Sequence, residues 1–162
     1  MTDALKIRFL FAVIQQFIGN LNVKTKIVHF YAQRKSKFGP KQAVIPFDVA
    51  PINEGNAFDL SSGTFHVPVP GIYYFYLSAV KDKYAASLNI DLQVNGKRIG
   101  IAYTESAAKG SYPSVSLSAS LRLATFDRVS LLNYFDSVLF ENGNHVTHFT
   151  GWLVEEDLFD VK

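Results

Sequence analysis

The sequence predicts an all-β domain, a sandwich, jelly roll or barrel, and three observations carry the prediction. From Ser114 to Leu123, Val115, Leu117, Ala119, Leu121 and Leu123 alternate with Ser114, Ser116, Ser118, Ser120 and Arg122. That period of two sorts the two sets onto opposite faces of a strand, which no helix does. Val94-Asn95-Gly96-Lys97 lies between two apolar segments, and Asn-Gly supplies the positive φ angles of a tight type I′ hairpin. Short apolar segments, at least eight of them, follow one another at hairpin spacing, with no persuasive helix after Asn22.

Along the chain, the first 25 residues stand apart. Lys6 and Arg8 precede an apolar stretch from Phe9 to Ile18, broken by Gln15 and Gln16. A secretory signal peptide has this shape, but Phe17 stands before Gly19 where cleavage wants a small residue. An amphipathic helix also fits, with Leu10, Val13, Phe17 and Leu21 on one face, and so does an unstructured lead-in. The stretch is shorter than the ~20 residues of a membrane span.

Residues 26–158 form the expected domain and 159–162 a tail. Strands are expected at Ile27–Gln33, Gln42–Phe47, Thr64–Val67, Ile72–Val80, Leu88–Val94, Arg98–Tyr103, Ser114–Leu123, Arg128–Phe135 and Thr147–Glu155, each bounded by turn residues. Pro68 and Pro70 belong between strands because proline cannot donate to a ladder. No Gly-x-y run that would form a collagen stalk is present.

A chain of 162 residues, 48% hydrophobic and 19% charged, is neither disordered nor too small for a core of its own. Its 14 Phe and 8 Tyr demand that many flat rings be buried. The net charge of +2 carries no electrostatic footprint for nucleic acid. A basic stretch (Lys24, Lys26, Arg34, Lys35, Lys37, Lys41) and an acidic end (Glu155, Glu156, Asp157, Asp160) read as solvated surface. With no cysteine, disulfides, thiolate nucleophiles and cysteine metal sites are excluded.

No residue constellation argues for catalysis, and no cofactor or catalytic residue is expected. On a strand, His145 and His148 of His-Val-Thr-His point to opposite faces and do not converge on a metal. Ser61-Ser62-Gly63 lacks the frame of a nucleophile elbow and reads as a turn. Asn53-Glu54-Gly55-Asn56 has neither the second glycine nor the lysine of a phosphate loop, and Glu155 and Glu156 face opposite ways on a strand.

One stretch carries a spaced pattern. Phe47 is followed after five residues by Asn53, after four by Phe58, after six by Phe65, and after five by Gly71-Ile72-Tyr73-Tyr74-Phe75. Ser62-Gly63-Thr64-Phe65 lies within it, and Phe149-Thr150-Gly151-Trp152-Leu153 lies far beyond it in the chain. This set strongly resembles the signature of the C1q domain family, with Ser62–Phe65 like that family's turn into a strand and Phe149–Leu153 like its closing strand. Two positions depart: Leu77 stands where the family has a ring, and Phe126-Asp127 where it usually has Gly-Asp.

The resemblance covers about Lys26 to Asp157 and implies a ten-strand jelly roll shared with tumour-necrosis-factor-like cytokines. It implies a secreted, non-enzymatic homotrimer that recognises an extracellular glycan, microbial surface or protein receptor. A cytokine-like ligand and a structural matrix component are the alternatives. Phe65, Gly71, Tyr73 and Phe149 match positions that pack the protomer core in the family. Tyr74 and Tyr76 point away from Tyr73, Phe75 and Leu77, so they are candidates for the trimer interface, with Trp152 and Tyr134 divided between core and interface. Some relatives hold calcium near the threefold axis through the loop after the Asn-Gly hairpin. Here Tyr103-Thr104-Glu105-Ser106 offers a single carboxylate, weak support for an ion that needs six to eight oxygens.

Overall fold

The computed structural model describes residues 2–18, 22–105, 110–135 and 137–158. A helix, α1 (Asp3–Ile18), is followed by β1 (His29–Gln33), β2 (Ala43–Val44), β3 (Val49–Glu54), β4 (Phe58–Asp59), β5 (Thr64–His66) and β6 (Gly71–Val80). Then come β7 (Ser87–Val94), β8 (Lys97–Glu105), β9 (Ser114–Leu123), β10 (Arg128–Asn133) and β11 (His148–Glu156). All pairings between these strands are antiparallel. They form two sheets, β3-β1-β11-β6-β9 and β4-β5-β10-β7-β8, with β2 on β10. This is a jelly-roll sandwich.

The clearest sequence patterns appear as read. In β9 the serines are exposed and Val115 and Leu123 are buried. Asn95 (φ 52°) and Gly96 (φ 77°) make the β7–β8 hairpin. Along β6 the burial alternates from Gly71 to Val80, so Tyr73, Phe75, Leu77 and Ala79 enter the core while Ile72, Tyr74, Tyr76 and Ser78 face outward. α1 leaves Leu5, Ile7, Phe9 and Leu10 exposed. Leu21, and the side chain of Phe17, lie outside what is described.

Differences from the expected strands have local causes. Of Gln42–Phe47 only Ala43–Val44 is a strand, with Gln42 at φ 49° on one side and Pro46, which has no N–H for a ladder, on the other. Strand β3, which contains Pro51, was not among the expected strands. It lies at the sheet edge, paired with β1 alone, where a missing N–H leaves no ladder bond broken. Arg34 is not solvated surface. It is 4% exposed, stacks over Phe38 at 5.0 Å, and donates to the carbonyls of Pro46 and Ser36.

Phe126 keeps the tight turn that glycine would make more easily. It takes φ 73° and is 86% exposed. Hydrogen bonds surround it: Phe126 N–H donates to Val67 O (2.9 Å), Asp127 accepts from Ala124 N–H (2.8 Å), and Asn95 Nδ2 donates to Asp127 (2.8 Å). A left-handed non-glycine residue costs about 1–2 kcal/mol, partly offset by glycine's greater chain entropy. Phe126→Gly is therefore expected to raise stability by up to about 1 kcal/mol, read from the urea midpoint. A lowered midpoint would show that the exposed ring contributes to folding.

Candidate interaction surfaces

The spaced residues occupy one connected region of the core. Asn53 acts as a clamp: its Nδ2 donates to Phe58 O (2.9 Å) and its Oδ1 accepts from Phe58 N–H (3.2 Å), closing the loop between β3 and β4. Phe58 stacks on Phe30 at 4.4 Å and meets Phe47 edge-on at 5.7 Å. Phe65 lies 5.6 Å from both Tyr73 and Phe75, and Phe149 lies 6.0 Å from Phe75. Tyr73 is fully buried, and its hydroxyl donates to Val69 O at 2.8 Å. Burial pushes that phenol up to about 12. Gly71 lies against the Glu155 carbonyl, and Gly151 leaves room for the rings of Phe30 and Phe75.

On the outer face of the first sheet the antiparallel register builds two aromatic rows. Trp152 pairs with Tyr74 on β6 and with His29 on β1, at ring separations of 4.7 and 6.0 Å. One row along, Tyr31 and Tyr76 flank Thr150, and His148, diagonal to both, lies 5.7 Å from Tyr31 and 6.1 Å from Tyr76. Trp152 is 38% exposed, and an open crevice of about 460 Å³ beside it is lined by Lys24, Ile27, Val28, His29, Trp152 and Leu153. Tyr74, Tyr76 and Trp152 thus share one surface. Tyr134 does not join them: it follows β10 in the second sheet, against Phe135 (4.2 Å) and under the Arg98 guanidinium (4.9 Å).

A second apolar patch escaped the sequence reading. Edge strand β8 exposes Ile99 (45%), Ile101 (42%) and Tyr103 (51%). Its small residues point inward, with Ala102 buried and Gly100 against Leu117. Large residues outside and small ones inside are the available signal, and it reverses the usual assumption that the larger apolar set is core.

The residues weighed for chemistry sit in structural roles. Ser61 and Ser62 donate to Asp59 at 2.7 and 2.8 Å. These bonds, Ser61's first, hold the Asp59 carboxyl at about 2. His145 takes φ 56° with Nδ1 2.9 Å from Arg34 O, while His148 stands in the aromatic row. The Tyr103 hydroxyl donates to Glu105. Ser106 and Asp160 lie outside the described residues. Among the described residues, no group of three or more His, Cys, Asp or Glu side chains is placed to hold a metal, and no helix is long and apolar enough to cross a membrane.

Residues 29–154, from β1 almost to the end of β11, match the C1q domain. The chain belongs to the C1q domain family. Among the relatives of this C1q domain is complement C1q tumor necrosis factor-related protein 5 of Homo sapiens, 37% identical over 90 residues, covering 56% of this chain and 36% of the relative. Complement C1q tumor necrosis factor-related protein 3 of Mus musculus is 30% identical over 135 residues, covering 83% and 52%. The chain therefore spans about half, or less, of the length of these relatives. The solved globular domain of zebrafish complement 1qA superposes with a TM-score of 0.68 at 19% identity, covering 80% of this chain and 99% of that one, a likeness of fold.

Proposed function

We propose that this C1q domain is a secreted, non-enzymatic recognition module. It assembles as a homotrimer and binds a carbohydrate, microbial surface or protein receptor through exposed loops and inter-subunit grooves. The observation that carries the reading is the pair of unlike apolar patches: the aromatic rows around Tyr74, Tyr76 and Trp152, and the Ile99–Ile101–Tyr103 edge. Two different patches on one chain favour head-to-tail contacts, which close into a ring when the rotation permits. Aromatic residues suit the buried centre of such contacts.

The test is binding by the full chain to glycan and microbial-surface arrays and to cells, together with intact-mass measurement of protein from its native fluid. Expected are saturable binding and, where residues 1–25 act as a signal, loss of about the first 19 to 25 residues. Binding to cells alone turns the reading to the cytokine-like ligand. Higher-order assembly without binding turns it to the structural role.

No metal is required in this reading. Glu105 is the one carboxylate of its loop, so a trimer gathers three there, which reach the lower limit of the six to eight oxygens calcium takes only if every one binds through both oxygens. Chelation is expected to leave the melting temperature within about 2 °C of its starting value, on a scale where 1 kcal/mol moves it by about 2–4 °C. A larger drop in a chelator titration would establish a structural calcium site.

A further inference from the structure

On the outer face of the first sheet, His148 combines a place in the aromatic rows with an unsatisfied polar atom. Its Nδ1 is buried and has no hydrogen-bond partner among the described residues. The ring stands 5.7 Å from that of Tyr31 and 6.1 Å from that of Tyr76. The register puts Gln33 of β1 and Ser78 of β6 directly beside it, and Thr150 follows it on the same face of β11. One strand further out stand Val49 and Ile52 on β3, and Ser116 and Ser118 on β9.

The two tyrosines are the titratable groups among these neighbours, and none is a carboxylate or a cation. The charged groups at this end of the sheet hold other partners. Glu141 accepts from Thr147 N–H (2.6 Å), and Arg34 donates to the carbonyls of Pro46 and Ser36. His145 Nδ1 lies 2.9 Å from Arg34 O, and Asp48 accepts from Lys35 N–H (2.7 Å). His29, in the neighbouring row, differs in having Glu54 opposite it on β3. A protonated imidazole donates from both nitrogens. At position 148 it therefore gains a charge without a counter-ion and a second N–H without an acceptor. In the free chain the half-buried ring still reaches water, whereas a charge enclosed unpaired in an interface is strongly destabilising. Tyr31 and Tyr76 flank the ring in both states, so their attraction for a cation gives the charged form no advantage on assembly.

We propose that His148 makes the homotrimer acid-labile. Assembly takes the neutral imidazole, so the contact is at full strength above the usual histidine titration range and is lost as pH falls through it. The three copies act together. An imidazole of ordinary basicity that the interface excludes when charged weakens assembly about tenfold between about pH 7.5 and 5.5, and three such groups about a thousandfold. Acidification then turns a trivalent binder into single sites and releases what only multivalent contact holds. The switch rests on the trimer of the recognition reading above and adds its regulation.

The test measures association of the full chain by sedimentation at about pH 7.5 and about pH 5.5, with near-UV circular dichroism to follow the fold. Expected is a trimer at the higher pH whose association weakens about a hundredfold or more at the lower, with the near-UV signal unchanged. His148→Gln and His148→Phe should stay trimeric at both, and His148→Lys should be dissociated at both. His66→Gln, at an exposed position on the second sheet, should respond as the wild type does. A wild-type trimer undiminished by acid, neutral variants that dissociate with the wild type, or an intact His148→Lys trimer would overturn the switch and leave the assembly standing. So would loss of the near-UV signal in acid, which is unfolding instead of dissociation. A wild-type monomer at the higher pH would remove the assembly and the switch together.

Discussion

Gly151→Ala is expected to lower the melting temperature by about 10 °C, from a loss of about 3 kcal/mol at 2–4 °C per kcal/mol. Gly151 faces inward between Phe149 and Leu153 on β11 and pairs with Phe30 on β1 and Phe75 on β6. A methyl group there would stand 2.6 Å from Phe75 Cδ1 and 2.8 Å from Phe30 Cε1. Both rings are 1% exposed, and Phe30 is stacked on Phe58 and Phe65, so neither ring has free space to move into. The strain therefore spreads through a close-packed aromatic core. Calorimetry checks the shift, and a variant melting within about 2 °C of wild type would mean the rings repack without cost.

Replacing Tyr74 and Tyr76 together by aspartate is expected to abolish the proposed trimer. Each tyrosine faces outward on β6, against Trp152 and His148 respectively. An interface of the obligate kind buries roughly 2,000 Å² or more per pair, and each unpaired charge placed in it costs about 3–5 kcal/mol. Two such charges per protomer exceed what assembly of this size spares. The core should be untouched, because Tyr73, Phe75 and Leu77 point the other way. Light scattering should find the wild type near three times the chain mass and the double variant monomeric or aggregated. A wild-type monomer would remove the assembly, and an intact variant trimer would remove the choice of face.

What was legible in the sequence is what repeats with the period of a strand or needs a special backbone angle. The Ser114–Leu123 alternation, the Asn95-Gly96 hairpin and the two faces of β6 are of that kind, and each is set by neighbours within a few residues. β3 and the exposed face of β8, itself an expected strand, went unread for the opposite reason. A proline is tolerated in β3 because no strand lies beyond it, and large residues face outward on β8 because the core beneath has room only for Gly100 and Ala102. Both facts depend on packing with distant segments. The candidate interface divided likewise. Strand parity alone put Tyr74 and Tyr76 on one face, while joining Trp152 to Tyr74 and separating Tyr134 from both required the β6–β11 register.

The position of β11 has a consequence for how the chain is made. This final strand lies in the middle of its sheet, between β1 and β6. His29 pairs with Trp152, so β1 waits for a partner 152 − 29 = 123 positions later in the chain. At about 5–20 residues per second of synthesis, that wait is roughly 6–25 s. During it, β1 and β6 each offer an unsatisfied row of N–H and C=O groups to any other nascent chain. Closing so long a loop also makes the last pairing slow compared with the local hairpins. A ribosome-bound intermediate ending before His148 is therefore aggregation-prone, and chaperone demand should fall sharply once the last strand emerges.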